Sequence, residues 1–175
     1  MIGLLGGRFD PPHNGHVALA RSAVEQLPID RLIVMVAERP GHRAALASAD
    51  DRFRMAEAAF AGLGEVVLDP HPYTVDAVRG GRFGDAYFIV GADQAAVFES
   101  WKDPDEILRW VTLAVGTRSG YESEVTFDFD SPRISGTDVR DRVSCGESIA
   151  DLVPPAVARI IEERSLYREG ACWNP

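Results

Sequence analysis

The sequence predicts one α/β domain built on a doubly wound parallel sheet. Three observations lead there. Short runs rich in Val, Ile and Leu recur about 20 to 35 residues apart. Most are continuously apolar rather than alternating, as expected of parallel strands buried on both faces. Helical patterns stand between them, so strand leads to helix leads to strand, the order that gives right-handed crossovers. A length of 175 residues is enough to bury roughly 70% of the unfolded surface in a single core. No linker, repeat or low-complexity stretch divides the chain, so residues 1–175 read as one domain.

Ile2 to Leu5 is the first predicted strand. Gly15 to Gln26 follows as a helix with Val17, Ala20, Ala23, Val24 and Leu27 on one stripe. Arg31 to Ala37 is the second strand, and Ser48 to Asp51 reads as an N-terminal cap before a helix over Arg52 to Ala61. Glu65 to Leu68, Ala86 to Val90 and Val111 to Val115 are the next strands, separated by short helices over Tyr73 to Arg79 and Pro104 to Arg109. Beyond Val115 the chain is turn-rich, with one more strand near Val125 to Phe127. Thr137 to Cys145 and Pro154 to Arg164 close the domain as a helical portion spanning about residues 136–167. The last helix starts at proline, where a missing N–H costs least. In such sheets ligands bind beyond the carboxyl ends of the strands, where strand order reverses. The loops after the first and fourth strands are therefore the places to look for a site.

Composition excludes several function classes. Lys and Arg number 18 and Asp and Glu 27, for a formal charge of −9. That balance argues against general binding to nucleic acid or an anionic membrane. Of the basic residues only Lys102 is lysine, and no Gly-Lys-Ser/Thr triplet exists, which excludes a Walker-type ATPase. Cys145 and Cys172 form no Cys-x-x-Cys pair and no cluster with histidine, so zinc and redox motifs are absent; two unpaired thiols are expected, as in a reducing compartment. No signal peptide or membrane-length apolar run is visible. The expected setting is the cytoplasm.

The first strand ends in Gly6-Gly7-Arg8-Phe9-Asp10-Pro11-Pro12-His13-Asn14-Gly15-His16. Paired glycines let a ligand approach the backbone, and two prolines stiffen the loop. His13 and His16, three residues apart at a helix start, can share one face. The helix N-terminus itself favours anions. This combination is a triphosphate-binding candidate and not a dinucleotide fingerprint, since Gly-x-Gly-x-x-Gly does not occur.

These residues resemble the Gly-x-Phe-Asp-Pro-x-His-x-Gly-His signature of the nucleotidylyltransferase superfamily. Far along the chain, Ile134-Ser135-Gly136-Thr137-Asp138-Val139-Arg140 is similar to that family's Ile-Ser-Ser-Thr-x-x-Arg. Tyr73-Thr74-Val75-Asp76, Gly91-Ala92-Asp93, Phe98 to Trp101 followed by Glu106-Ile107-Leu108, and Leu152 to Tyr167 resemble segments of nicotinate mononucleotide adenylyltransferases. The resemblance implies a Rossmann-like nucleotidylyltransferase fold. It also implies transfer of an adenylyl group from ATP to nicotinate mononucleotide in NAD biosynthesis, with Mg²⁺ accompanying the triphosphate and no dedicated carboxylate cage.

Under that resemblance His13 and His16 contact the α- and β-phosphates, and Arg140 adds a lasting positive charge. Gly6, Gly7, Phe9, Gly91, Asp93, Ile134, Ser135 and Thr137 form the ATP site. Arg43, Tyr73, Thr74 and Trp101 form the acceptor site, where a pyridine ring can stack on Trp101. The implied partners are ATP and a pyridine mononucleotide, with no nucleic acid and no membrane; homo-oligomerisation stays open.

The pattern departs from the family in places. Arg39-Pro40-Gly41-His42-Arg43 replaces Pro-Pro-His-Lys, Pro104 stands where a second Trp is frequent, Gly136 replaces a serine, and Ser119 stands where proline is frequent. His42 reads equally as an acceptor contact or a loop residue, and His71 reads as a loop residue. The adenylyl-transfer machinery is intact, while nicotinamide mononucleotide, and at greater distance phosphopantetheine, remain as other acceptors. A non-catalytic nucleotide-binding regulator is the reading from a different class.

Overall fold

All six expected strands form in the computed structural model, which describes residues 1–41, 44–117, 125–130 and 133–168. They are β1 (Ile2–Gly7), β2 (Arg31–Ala37), β3 (Glu65–Asp69), β4 (Ala86–Gly91), β5 (Thr112–Thr117) and β6 (Val125–Asp128). All pairings are parallel, in the order β3-β2-β1-β4-β5-β6. The order reverses between β1 and β4, as the doubly wound reading requires.

The long helices are α1 (Asn14–Gln26), α2 (Ala49–Ala59), α6 (Gly136–Ser144) and α7 (Pro155–Glu163). The short ones are α3 (Thr74–Val78), α4 (Ala92–Ala95) and α5 (Pro104–Leu108). Ser48 caps α2 as expected, its hydroxyl accepting from the Asp51 N–H. Pro154 is the cap of α7 and Pro155 its first residue. α4 and a 3-10 turn over Phe98–Ser100 were not foreseen; elements of three or four residues are too short to leave a periodic signal. One core layer joins α1, α2 and α7 to a face of the sheet, and a second joins α3, α4 and α5 to the other. No helix among the described residues is long and apolar enough to cross a membrane.

Two expectations need correction. The buried stripe of α1 is Leu19, Ala20, Ala23 and Leu27, whereas Val24 is exposed. α1 packs across β1, β4, β5 and β6, and that seat turns its buried face one position toward Leu19. Cys145 is disulfide-bonded rather than a free thiol. Pairing depends on thiols meeting within a few ångströms, which spacing along a chain does not reveal. The cysteines therefore no longer speak for a reducing compartment; Cys172 itself lies outside the described residues.

One buried charge organises the carboxyl ends of the strands. Arg52 on α2 is 1% exposed. Its guanidinium donates to four carbonyls: Ala47 at 3.2 Å, Arg8 at 2.9 Å, Ala37 at 2.7 Å and Glu38 at 3.0 Å. Burial lowers its pKa from the usual guanidinium value, and the Asp10 carboxylate opposes that shift. Asp10, also buried, accepts from the N–H groups of Leu46 at 2.7 Å and Ala47 at 3.1 Å and from the Tyr167 hydroxyl at 2.7 Å. Burial, reinforced by Asp10, raises the Tyr167 pKa. The loops after β1 and β2 and the segment after α7 are thus tied to one polar core.

Arg52→Met is expected to lower folding stability by about 3 kcal/mol or more, because four buried or half-buried carbonyls lose their donor. Urea unfolding followed by circular dichroism measures this, and a loss below about 1 kcal/mol would contradict the organising role.

Candidate active site

The site opens where the sheet forks. β1 pairs with β2 through all six of its residues, from Ile2 with Arg31 to Gly7 with Val36. Toward β4 it pairs only at Ile2, Gly3 and Leu4. Beyond Leu4 the two strands are no longer paired, and Gly6 and Gly7 at the end of β1 border the opening. A cavity of about 510 Å³ lies here, lined among others by Gly6, Gly7, Arg8, Tyr73, Thr74 and Trp101.

The β1–α1 loop delivers both histidines. The His13 and His16 rings stack with centroids 3.7 Å apart. Phe9, fully buried with a positive φ of 49°, sets its ring edge-on to His16 at 5.1 Å and to Phe60 at 5.4 Å. The Phe9 ring therefore buttresses His16 and does not face solvent. His16 Nδ1 accepts the His13 backbone N–H at 3.2 Å, so in the neutral ring the proton sits on Nε2. Burial lowers the His13 pKa to about 4, with Asp138 opposing, and burial followed by the His13 charge holds His16 well below its ordinary value. Two stacked imidazoles at an enclosed helix start cannot both carry charge without an anion beside them.

The distant motif arrives at the same place. Arg140 on α6 donates from Nη1 to the Asp10 carbonyl at 2.7 Å and from Nη2 to Thr137 Oγ1 at 3.0 Å. Gly136 permits this approach: a β-carbon there would stand 3.0 Å from Arg140 Nη1 and 3.1 Å from the Asp10 carbonyl oxygen. A serine at 136 would crowd the joint, which gives this departure from the family pattern a steric reason. The Ser135 hydroxyl is already engaged, donating to Asp138 at 2.7 Å and accepting from the Asp138 N–H at 3.1 Å. The Ser135 hydroxyl bond to the Asp138 carboxylate, followed by a second bond to it from the Ser135 backbone N–H at 2.8 Å, lowers the Asp138 pKa. On α1, the Asn14 N–H goes to the Leu152 carbonyl and that of His16 to the His13 carbonyl. Two of the N–H groups at this helix start are thus already engaged within the protein.

Tyr73, Thr74 and Trp101 line the same cavity. Trp101 packs edge-on to Phe88 at 6.0 Å and tilted to Phe98 at 5.4 Å. Lys102 lies 4.5 Å over the Tyr73 ring and 3.1 Å from Asp76. Gly41 binds through its N–H to the Pro72 carbonyl at 3.1 Å, and a β-carbon at Gly41 would press on the Tyr73 ring at 2.7 Å. Glycine in place of the family's proline run therefore lets this loop sit against Tyr73. Gly91 caps α4, and Asp93 is exposed on its first turn; neither belongs to the cavity lining, nor does Pro104, which opens α5. Arg43, His42 and Ser119 lie outside the described residues.

Reasoning from the sequence missed three functional supports: Arg52, the Asp10 side chain and Tyr167. Arg52 reads as one more helix-surface arginine, and Tyr167 sits 157 residues from its partner Asp10. Among the described residues no three His, Cys, Asp or Glu side chains converge as metal ligands. Asp10 and Asp138 are both occupied by internal hydrogen bonds.

Residues 4–142 match the profile of the family described as Cytidylyltransferase-like. A Chlorobaculum parvum protein named probable nicotinate-nucleotide adenylyltransferase is 36% identical, over 95% of this chain and 98% of its own. A Thermus thermophilus protein of the same name is 37% identical, over 95% and 99%. The solved structure of Plasmodium falciparum nicotinic acid mononucleotide adenylyltransferase complexed with NaAD shares the fold, with a TM-score of 0.73 at 15% identity over 97% of this chain and 98% of that one.

The depressed His13 pKa carries a sign for stability. The unfolded chain takes up a proton near pH 6.5, and the folded chain does so only near 4. Stability of the unliganded protein is therefore full above about 6.5 and falls as pH drops toward 4. Between pH 7 and 4.5, wild type is expected to lose about 2 kcal/mol more than His13→Gln in urea unfolding. Parallel losses would show that His13 is not neutral in the fold.

Proposed function

The chain belongs to the cytidylyltransferase-like family, and from that premise we propose that it transfers the adenylyl group of ATP to nicotinate mononucleotide. The products are nicotinate adenine dinucleotide and pyrophosphate, a step of NAD biosynthesis. The single observation carrying this reading is the joint between α6 and the β1–α1 loop. There Arg140 is bonded to the Asp10 carbonyl, beside the stacked imidazoles and at the forked end of the sheet. The relatives' names supply the acceptor. We infer the cytoplasm as the setting of the reaction.

The chemistry needs no side-chain nucleophile. A phosphate oxygen of the mononucleotide, largely ionised at neutral pH with a second pKa of about 6, bonds to the α-phosphorus of ATP. The bond from that phosphorus to the bridging oxygen breaks, and pyrophosphate leaves with the oxygen. The protein aligns the three groups and offsets charge that shifts toward the leaving group. His16 presents Nε2–H without needing a second proton, because its Nδ1 is held by the His13 N–H. His13 adds a second imidazole, which the arriving phosphates favour in the protonated form. Arg140 and Thr137, bonded to each other, bring a fixed charge and a hydroxyl to the leaving phosphates. A divalent cation such as Mg²⁺, carried in with the triphosphate, would supply further charge neutralisation.

His16→Ala is expected to lower kcat by two to three decades, about 2.7–4 kcal/mol, with KM for ATP changed little. Near-normal kcat with weakened ATP binding would move His16 to a ground-state role. Pyrophosphate release with ATP and Mg²⁺ tests the function itself, with nicotinate mononucleotide, nicotinamide mononucleotide and phosphopantetheine as acceptors. Release is expected with nicotinate mononucleotide. Release only with phosphopantetheine, or with no acceptor, overturns the reading.

A further inference from the structure

The acceptor cavity contains a pair that neither motif includes. His71, in the loop between β3 and α3, is on the cavity wall together with Asp69, Tyr73, Thr74 and Trp101. Its Nδ1 stands 2.6 Å from Asp69 Oδ1, and its backbone N–H reaches the same oxygen at 3.3 Å. The Asp69 side chain is only 7% exposed, and that of His71 is 34% exposed. Asp69 is itself anchored: its carbonyl accepts the Glu38 N–H at 2.8 Å, and Arg82 approaches the shared Oδ1 at 3.7 Å. A buried carboxylate that grips both the backbone and the ring leaves the imidazole little freedom. The pair has the form of an oriented histidine rather than a solvated loop residue.

The consequence lies in the other ring nitrogen. With Nδ1–H committed to Asp69, Nε2 is the atom left for a ligand. A pyridine ring bearing a carboxylate offers acceptor oxygens only; an imidazole held between that carboxylate and Asp69 is favoured in the form that carries a proton on both nitrogens, and its Nε2–H then makes a charge-assisted N–H···O bond. Such bonds are roughly twice as strong as neutral ones. An amide at the same ring position carries no charge and gains only the neutral bond. We propose that His71, oriented by Asp69, recognises the carboxylate of the acceptor's pyridine ring and so sets the preference for nicotinate over nicotinamide mononucleotide. The proposal rests on the adenylyl-transfer reading and adds to it a residue that selects the substrate. It gives a ligand role to a histidine that the sequence alone reads as a loop residue.

The test compares kcat/KM for the two pyridine mononucleotides in wild type, His71→Ala and His71→Arg, with saturating ATP and Mg²⁺. In His71→Ala the ratio of nicotinate to nicotinamide kcat/KM is expected to fall by about tenfold or more, through KM for the nicotinate acceptor. KM for ATP is expected to stay within about twofold, which a general loss of structure would not allow. His71→Arg, which keeps a cationic donor, is expected to hold more of the preference than His71→Ala. A ratio unmoved in His71→Ala, or an equal loss on both acceptors, overturns the His71 assignment while leaving adenylyl transfer in place. A wild type that favours nicotinamide mononucleotide also overturns it. A wild type inactive on both pyridine mononucleotides overturns the assignment and the reading beneath it together.

Discussion

The Arg52 guanidinium, buried under the strand ends, is the interaction on which the site depends. A charge this deep is tolerated only when its donors are saturated, and four carbonyls saturate it. Those carbonyls belong to the loops after β1 and β2 and to the turn before α2. The same loops converge on Asp10, which adds Tyr167 from beyond α7. A polar core with every partner in place permits few alternative arrangements. It holds the β1–α1 loop still enough for His13 and His16 to stack instead of sampling solvent.

Above that core the site follows from two geometric facts. β1 leaves β4 after three paired residues, so a crevice opens between strands that elsewhere would be bonded. α6 returns to the crevice through Arg140 and Gly136, within hydrogen-bonding reach of the Asp10 carbonyl. Enclosure then keeps the imidazoles neutral in the unliganded protein. A polyphosphate would meet Nε2–H of His16 already in place, beside the fixed charge of Arg140. Little reorganisation is left for the moment of reaction, which is the condition for strong electrostatic stabilisation.

The acceptor side shows how departures from a family pattern become intelligible. Gly41 in place of the usual proline run allows contact with the Tyr73 ring and a bond to Pro72. Lys102 lies over the Tyr73 ring, and Trp101, backed by Phe88 and Phe98, is the tryptophan of the cavity wall. Pro104, where a second Trp might have stood, opens α5 away from the cavity lining. His71 takes its meaning from Asp69, the last residue of β3, whose buried carboxylate holds both its ring and its backbone N–H.

Much of this architecture was legible from residues alone. Continuous runs such as Leu32 to Val36 declare strands covered on both faces, and β2 spans the expected Arg31–Ala37. Ser48, Pro154 and the two separated motifs act through local chemistry, at caps and loop ends, and local chemistry survives in a linear reading. What only the tertiary structure decided are relations between segments. These are the burial of Arg52, the bond from Arg140 to the Asp10 backbone, the turn of α1 onto Leu19, the pairing of Cys145, and the placement of His71 in the cavity wall. Each depends on distances between elements far apart along the chain or on the burial those elements create. Residue order sets periodicity and caps, whereas dielectric environment and partner geometry exist only once the sheet has closed over its helices.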